Sequence, residues 1–117
     1  MNIESFRDYC LSKKGVSESF PFGENTLVFK VMDKLFALAD IEQFESINLK
    51  CDPMRAMELR AQFPAIVPGY HMNKQHWNTV VMNGSLSDTL VYELIDHSYE
   101  LVVAKLPKAS RTFLTDY

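Results

Sequence analysis

Two β-favouring runs, Thr26-Leu27-Val28-Phe29-Lys30-Val31-Met32 and Leu35-Phe36-Ala37-Leu38-Ala39, are separated only by Asp33-Lys34, and that spacing constrains the fold more than any other feature. So short a connection joins antiparallel neighbours, because parallel strands need a crossover of a dozen residues or more. Asp33-Lys34 is the predicted turn; neither residue is glycine, so the turn type stays open. A third strand follows, where Ile47, Leu49 and Cys51 alternate with Ser46, Asn48 and Lys50. That period of two marks a sheet with one wet face.

Helical signals bracket these strands. Ile3, Phe6, Cys10 and Leu11 recur at helical spacing ahead of Gly15, which reads as an amphipathic helix and its stop. Ser17 to Asn25, with Pro21 and Gly23, reads as a loop that Phe20 and Phe22 anchor to the core. After the third strand, Asp52 supplies an N-cap oxygen and Pro53 an N1 proline, so a helix is predicted to about Gln62, ended by Pro64 and Pro68. Trp77 to Met82 reads as a fourth strand closed by Asn83-Gly84. Ser87 then caps the longest helix, whose stripe is Leu90, Val91, Leu94, Ile95, Leu101 and Val102. Pro107 ends or kinks it, and Lys108 to Leu114 form a last short helix. The element order predicts an α+β fold: a two-layer sandwich of antiparallel sheet with helices on one face.

The 117 residues, 47% apolar and 23% charged, suit a single domain over 1–117. No apolar run reaches membrane-spanning length, and Met1-Asn2-Ile3-Glu4-Ser5 lacks a basic region followed by an apolar one, so a soluble cytoplasmic protein is expected. A net charge of −3 does not imply charge-driven capture of a polyanion, but the charge is unevenly spread. Residues 50–80 carry four basic and two acidic groups, and residues 101–117 three and one, so any anion-facing surface should combine these two segments.

The densest group of functional side chains is Tyr70-His71-Met72-Asn73-Lys74-Gln75-His76-Trp77, predicted to lie between a helix and a strand. Lys74, His71, Asn73 and His76 can contact phosphate, while Tyr70 or Trp77 offers a flat face to a base. The structural alternative packs Trp77 in the core, which the burial of large aromatics favours, and uses Asn73 and His76 to hold the loop. For His71 and Lys74 both readings stay open. Lys105, Lys108 and Arg111 form a second basic group, although cations near a helix C-terminus need no partner to explain them.

Metal and catalytic readings find less support. His71 and His76 are five apart, off the spacing that shares a helical face, and no third ligand is near in sequence, so no metal site is expected. The chain has no GxSxG, P-loop, GxGxxG or HExxH motif, so neither an enzyme nor a cofactor is expected. Cys51 could pair with a loop histidine, but its alternation with Leu49 points to an inert core thiol, as for Cys10. A protein-interaction or chaperone-like module using an exposed sheet face or groove is the alternative to nucleic-acid binding, suggested by Met54, Met57 and Met72 among the six methionines.

The ordered set Phe63-Pro64, Pro68, Tyr70 to Lys74, His76-Trp77, Ser98-Tyr99 and Leu106-Pro107-Lys108 resembles the MmcQ/YjbR family of small bacterial proteins over nearly the whole chain. His-x-Asn-Lys-x-His-Trp, His71 to Trp77, is its most specific element. The resemblance implies a two-layer antiparallel fold likened to frataxin and type III secretion chaperones. It also implies DNA binding on a "double wing" fold, through the basic loop around Lys74. The reading of the residues themselves gives a non-catalytic nucleic-acid binder with contacts by Tyr70, His71, Asn73, Lys74, His76 and Trp77, extended by Lys108 and Arg111. Iron binding is not carried over with the frataxin likeness, because the first helix has only Glu4 and Asp8.

Overall fold

The computed structural model describes residues 1–70 and 72–116. Ten elements follow in order: α1 (Ile3–Leu11), β1 (Val16–Ser19), β2 (Thr26–Val31), β3 (Lys34–Asp40), β4 (Ser46–Lys50), α2 (Pro53–Gln62), β5 (Ile66–Pro68), β6 (Trp77–Val81), α3 (Asp88–Ala104) and α4 (Lys108–Asp116). The strands form one antiparallel sheet in the order β1-β2-β3-β4-β6-β5, so the fold is α+β as predicted. The buried apolar residues of α1, α2 and α3, and Leu114 of α4, all join the cluster on one sheet face. Phe6, Phe29, Phe36, Ile47, Ile66 and Ile95 are fully buried, each contributing about 1.5–3 kcal/mol in water-to-core transfer.

The caps explain where the helices start. Asn2, Asp52 and Ser87 accept the backbone N–H of Ser5, Arg55 and Leu90 at 2.8, 3.1 and 3.1 Å. Each satisfies a donor that the first turn leaves without an intrahelical acceptor.

The hairpin turn lies one residue earlier than predicted. Val31 pairs with Lys34, and Met32 and Asp33 take φ of 47° and 69°, so positive φ at both central residues makes the turn type I′. Lys34 therefore belongs to β3. A bulge compensates, because Phe29 faces Ala37 while Lys30 faces Leu35, which leaves Phe36 without a cross-strand partner. The backbone groups freed there meet the Ser98 hydroxyl of α3, which accepts the Lys50 N–H at 2.9 Å and donates to the Phe36 carbonyl at 2.5 Å. A helix side chain thus completes the β3–β4 ladder.

Two edge strands differ from expectation. Residues 16–19 form β1 rather than the start of a loop; its single apolar residue, Val16, gave too little periodic signal to reveal an edge strand. The loop beyond it does not anchor its aromatics in the core, since Phe20 is exposed and Phe22 is 68% exposed. β5 is the other edge, and Pro68 is tolerated there because no further strand needs its N–H.

Candidate functional site

The segment 69–76 is fixed by its neighbours. Gly69 donates its N–H to the Trp77 carbonyl at 2.8 Å, and a Cβ at Gly69 would lie 2.8 Å from that of Trp77, so only glycine permits this approach. Tyr70 donates its N–H to Thr79 Oγ1 at 2.9 Å, and that hydroxyl donates to Asn48 Oδ1 at 2.6 Å. Asn73 Oδ1 accepts the Gln75 N–H at 2.9 Å, an Asx turn, and the Asn73 carbonyl accepts the His76 N–H. Arg60 of α2 closes the arrangement: it donates to Asn78 Oδ1 at 2.7 Å, to the Trp77 carbonyl at 3.1 Å and to the Lys74 carbonyl.

Tyr70 stands 71% exposed, and Asn73 and Lys74 are also exposed, although the Asn73 side-chain oxygen serves the turn. Trp77 is 9% exposed and packs with Val28 and Leu38 beneath Leu35 and Met72, on the face opposite the helices. Its ring is therefore a structural part of the open face, not a free stacking surface. Lys108 and Arg111 are exposed on α4. His71 lies outside the described residues.

The basic groups that do gather are at one end of the sheet. β3 begins and β4 ends there, and Lys34, Lys50 and Lys105 line a depression of about 280 Å³ with Val102 and Leu106. A smaller one of about 140 Å³ is shared by His76, Lys50, Lys105 and the N-capping Asp52. Residues 50–80 and 101–117 thus meet through Lys50, His76 and Lys105. Burial, and then the charge of Lys105, push the Lys50 ammonium below the ordinary lysine range. None of the ion pairs among the described residues involves Lys34, Lys50 or Lys105.

Sequence reasoning missed Lys34 and Lys50, treating the first as a turn residue and the second as part of a strand's wet face. The available signal was topological: the end of one antiparallel strand and the start of its neighbour lie at the same edge of a sheet. The four basic groups counted over residues 50–80 include Arg60, whose guanidinium is occupied by three protein oxygens.

The remaining nucleophile and ligand candidates are enclosed. Burial pushes the Cys10 thiol up to about 12 and raises that of Cys51, the direction that suppresses thiolate. His97 Nε2 accepts the Asp52 N–H at 3.1 Å, and burial, followed by the charge of Arg55, lowers its pKa. The space between Cys51, His97 and Asn78 amounts to about 10 Å³, roughly one water. Among the described residues no three His, Cys, Asp or Glu side chains gather around a possible metal ion, and no helix is long and apolar enough to cross a membrane.

The YjbR family model matches residues 11–101 of the chain. The chain is 37% identical over 115 residues to the uncharacterized protein YjbR of Escherichia coli K12, covering 97% of this chain and 98% of that one. It is 38% identical over 106 residues to the uncharacterized protein YbdF of Escherichia coli O157:H7, covering 90% and 87%. A crystal structure of Deinococcus radiodurans protein DR2400, described by its domain DUF419, superimposes with a TM-score of 0.90 at 41% identity, covering 97% of this chain and 88% of that one.

Proposed function

The chain belongs to the YjbR family, and from that premise we propose that it binds nucleic acid, DNA foremost, without catalysing a reaction, holding phosphates at the lysine-lined end of the sheet. The observation that carries this reading is the convergence of Lys34, Lys50 and Lys105 on one depression. Like charges brought together and partly desolvated oppose folding, and a bound phosphate relieves that cost while forming charge-assisted hydrogen bonds. His76 adds a donor in the adjoining hollow, and exposed Lys74 extends the contact at its rim.

With three or four phosphate contacts, log K falls with log[salt] at a slope of about −3, and affinity at physiological salt is micromolar or weaker. Fluorescence anisotropy with labelled oligonucleotides at 20 and 200 mM salt, about a tenfold span over which the slope is easily read, tests it. Loss of low-salt binding in Lys50→Ala/Lys105→Ala supports the reading. Unchanged binding in that variant, or none in the unaltered protein, defeats it.

A protein-partner reading rests on Met54 and Met57, which lie exposed on α2. A stoichiometric protein that survives nuclease treatment, and is released by Met54→Glu/Met57→Glu, would favour it.

A further inference from the structure

The sheet face that carries no helix holds a groove of about 370 Å³, near the lower end of ligand-pocket sizes. Its floor is Thr26 of β2, Leu38 of β3 and Asn48 of β4, and its walls are Phe22, leading into β2, and Tyr70, following β5. The two walls come from loops at opposite sides of the sheet, and both rings are more than two-thirds exposed. Phe22 and Tyr70 place exposed aromatic surface over a structured floor, the kind of apolar patch that marks a ligand groove.

The floor's chemistry selects the occupant. Asn48 Oδ1 is taken by the Thr79 hydroxyl, while its Nδ2 donors have no partner among the described residues. An apolar side chain seated there would leave those donors dry, at a cost that a ligand edge bearing acceptors avoids. Strand register gives the face its charge: Lys30 and Lys50 stand on this side, against one strand carboxylate, Asp40, which accepts the Glu42 N–H, and Lys50 lies at the sheet's end, where it also lines the depression shared with Lys105. Lys50 stands two residues from Asn48 on the same face, about 7 Å along β4 by strand rise. A flat ring with hydrogen-bond acceptors, tethered to a nearby phosphate, satisfies the aromatic walls, the amide and the lysine together.

We propose that this groove takes an unpaired base, so that the protein is a single-strand binder whose phosphate lies at the Lys50 end and whose base lies beside Tyr70 over Asn48. This rests on the phosphate-binding reading and narrows it. A duplex keeps its bases stacked and its base edges paired, and could use the lysines but not the groove.

The experiment compares a labelled single strand with its duplex of equal length, at one low salt concentration, using the full chain and Tyr70→Ala. The expected result is tighter single-strand binding by at least about fivefold, lost in Tyr70→Ala with duplex binding unchanged, since stacking on one aromatic ring supplies that much. The single tryptophan, Trp77, packs against Leu38 and Met72 of this groove, so its emission should shift with the single strand and not with the duplex. Equal affinity for the two forms, or a Tyr70→Ala variant that binds single strands as before, overturns the inference while leaving the lysine contacts standing. A dimer by sedimentation that Tyr70→Ala dissolves assigns the groove to a second copy and overturns it as well. Loss of all binding in Lys50→Ala/Lys105→Ala is the separate outcome that tests the phosphate site alone.

Discussion

Lys13 and Lys50 occupy opposite situations in this fold. Lys13 pairs with Asp96 at 2.5 Å, and its ammonium lies 4.9 and 5.1 Å from the ring centres of Tyr9 and Tyr99. Tyr9 donates to the same carboxylate at 2.6 Å, and burial followed by that hydrogen bond pushes the phenol up to about 12. Everything such a cation needs is supplied by α1 and α3, so its role is complete inside the fold. Lys50 is half-buried too, yet it faces Lys105 and has no carboxylate partner among the described ion pairs. The difference separates a lysine that stabilises the structure from one that, on the proposed function, takes its counter-charge from a bound phosphate.

Ser98 gives the largest expected effect, because it sets the backbone position of Lys50. Ser98→Ala strands the Lys50 N–H and the Phe36 carbonyl in the interior, and a urea titration should show a loss of about 3 kcal/mol. A loss under about 1 kcal/mol would mean that the hydroxyl does not carry the ladder.

Lys13→Ala should cost about 1 kcal/mol through the lost ion pair and ring contacts, and leave oligonucleotide affinity unchanged. Reduced affinity would break the contrast between the two lysines. His97 gives a smaller, pH-dependent effect. Its folded pKa is lowered, so the unfolded chain binds the proton more readily; this stability is complete above about pH 6.5 and is lost as pH falls through that value and the lower folded one. Denaturation midpoints at pH 7.5 and 5.5 should therefore differ less in His97→Gln than in the unaltered protein, and equal differences would contradict the assignment.

Lys50→Met should have the smallest effect on stability, within about 0.5 kcal/mol and toward greater stability, because it removes a partly desolvated charge beside Lys105. Measurable destabilisation would place Lys50 with Lys13 among the structural cations.

The strands and helices were legible wherever burial imposed a strict period. β4 alternates along its whole length, and the caps Asp52 and Ser87 mark α2 and α3 at the residues predicted. Edge strands escaped because they are too short to show a period: Val16–Ser19 alternates in exposure but carries one apolar residue, and Ile66–Pro68 is three residues long. The turn was misplaced because the bulge at Phe36 adds a residue that no local pattern announces. For the site, sequence density drew attention to residues 70–77, where Trp77 packs and Asn73 shapes the loop. Lys34, Lys50 and Lys105 are far apart in sequence and meet only through topology, so residue spacing could not display them.

The central claim is that Lys50 and Lys105 await a phosphate. The most direct test measures oligonucleotide affinity across a salt series for the unaltered chain and for Lys50→Ala/Lys105→Ala. Two lost phosphate contacts should make the slope of log K against log[salt] shallower by about 2. Coincident slopes for the two proteins would contradict it.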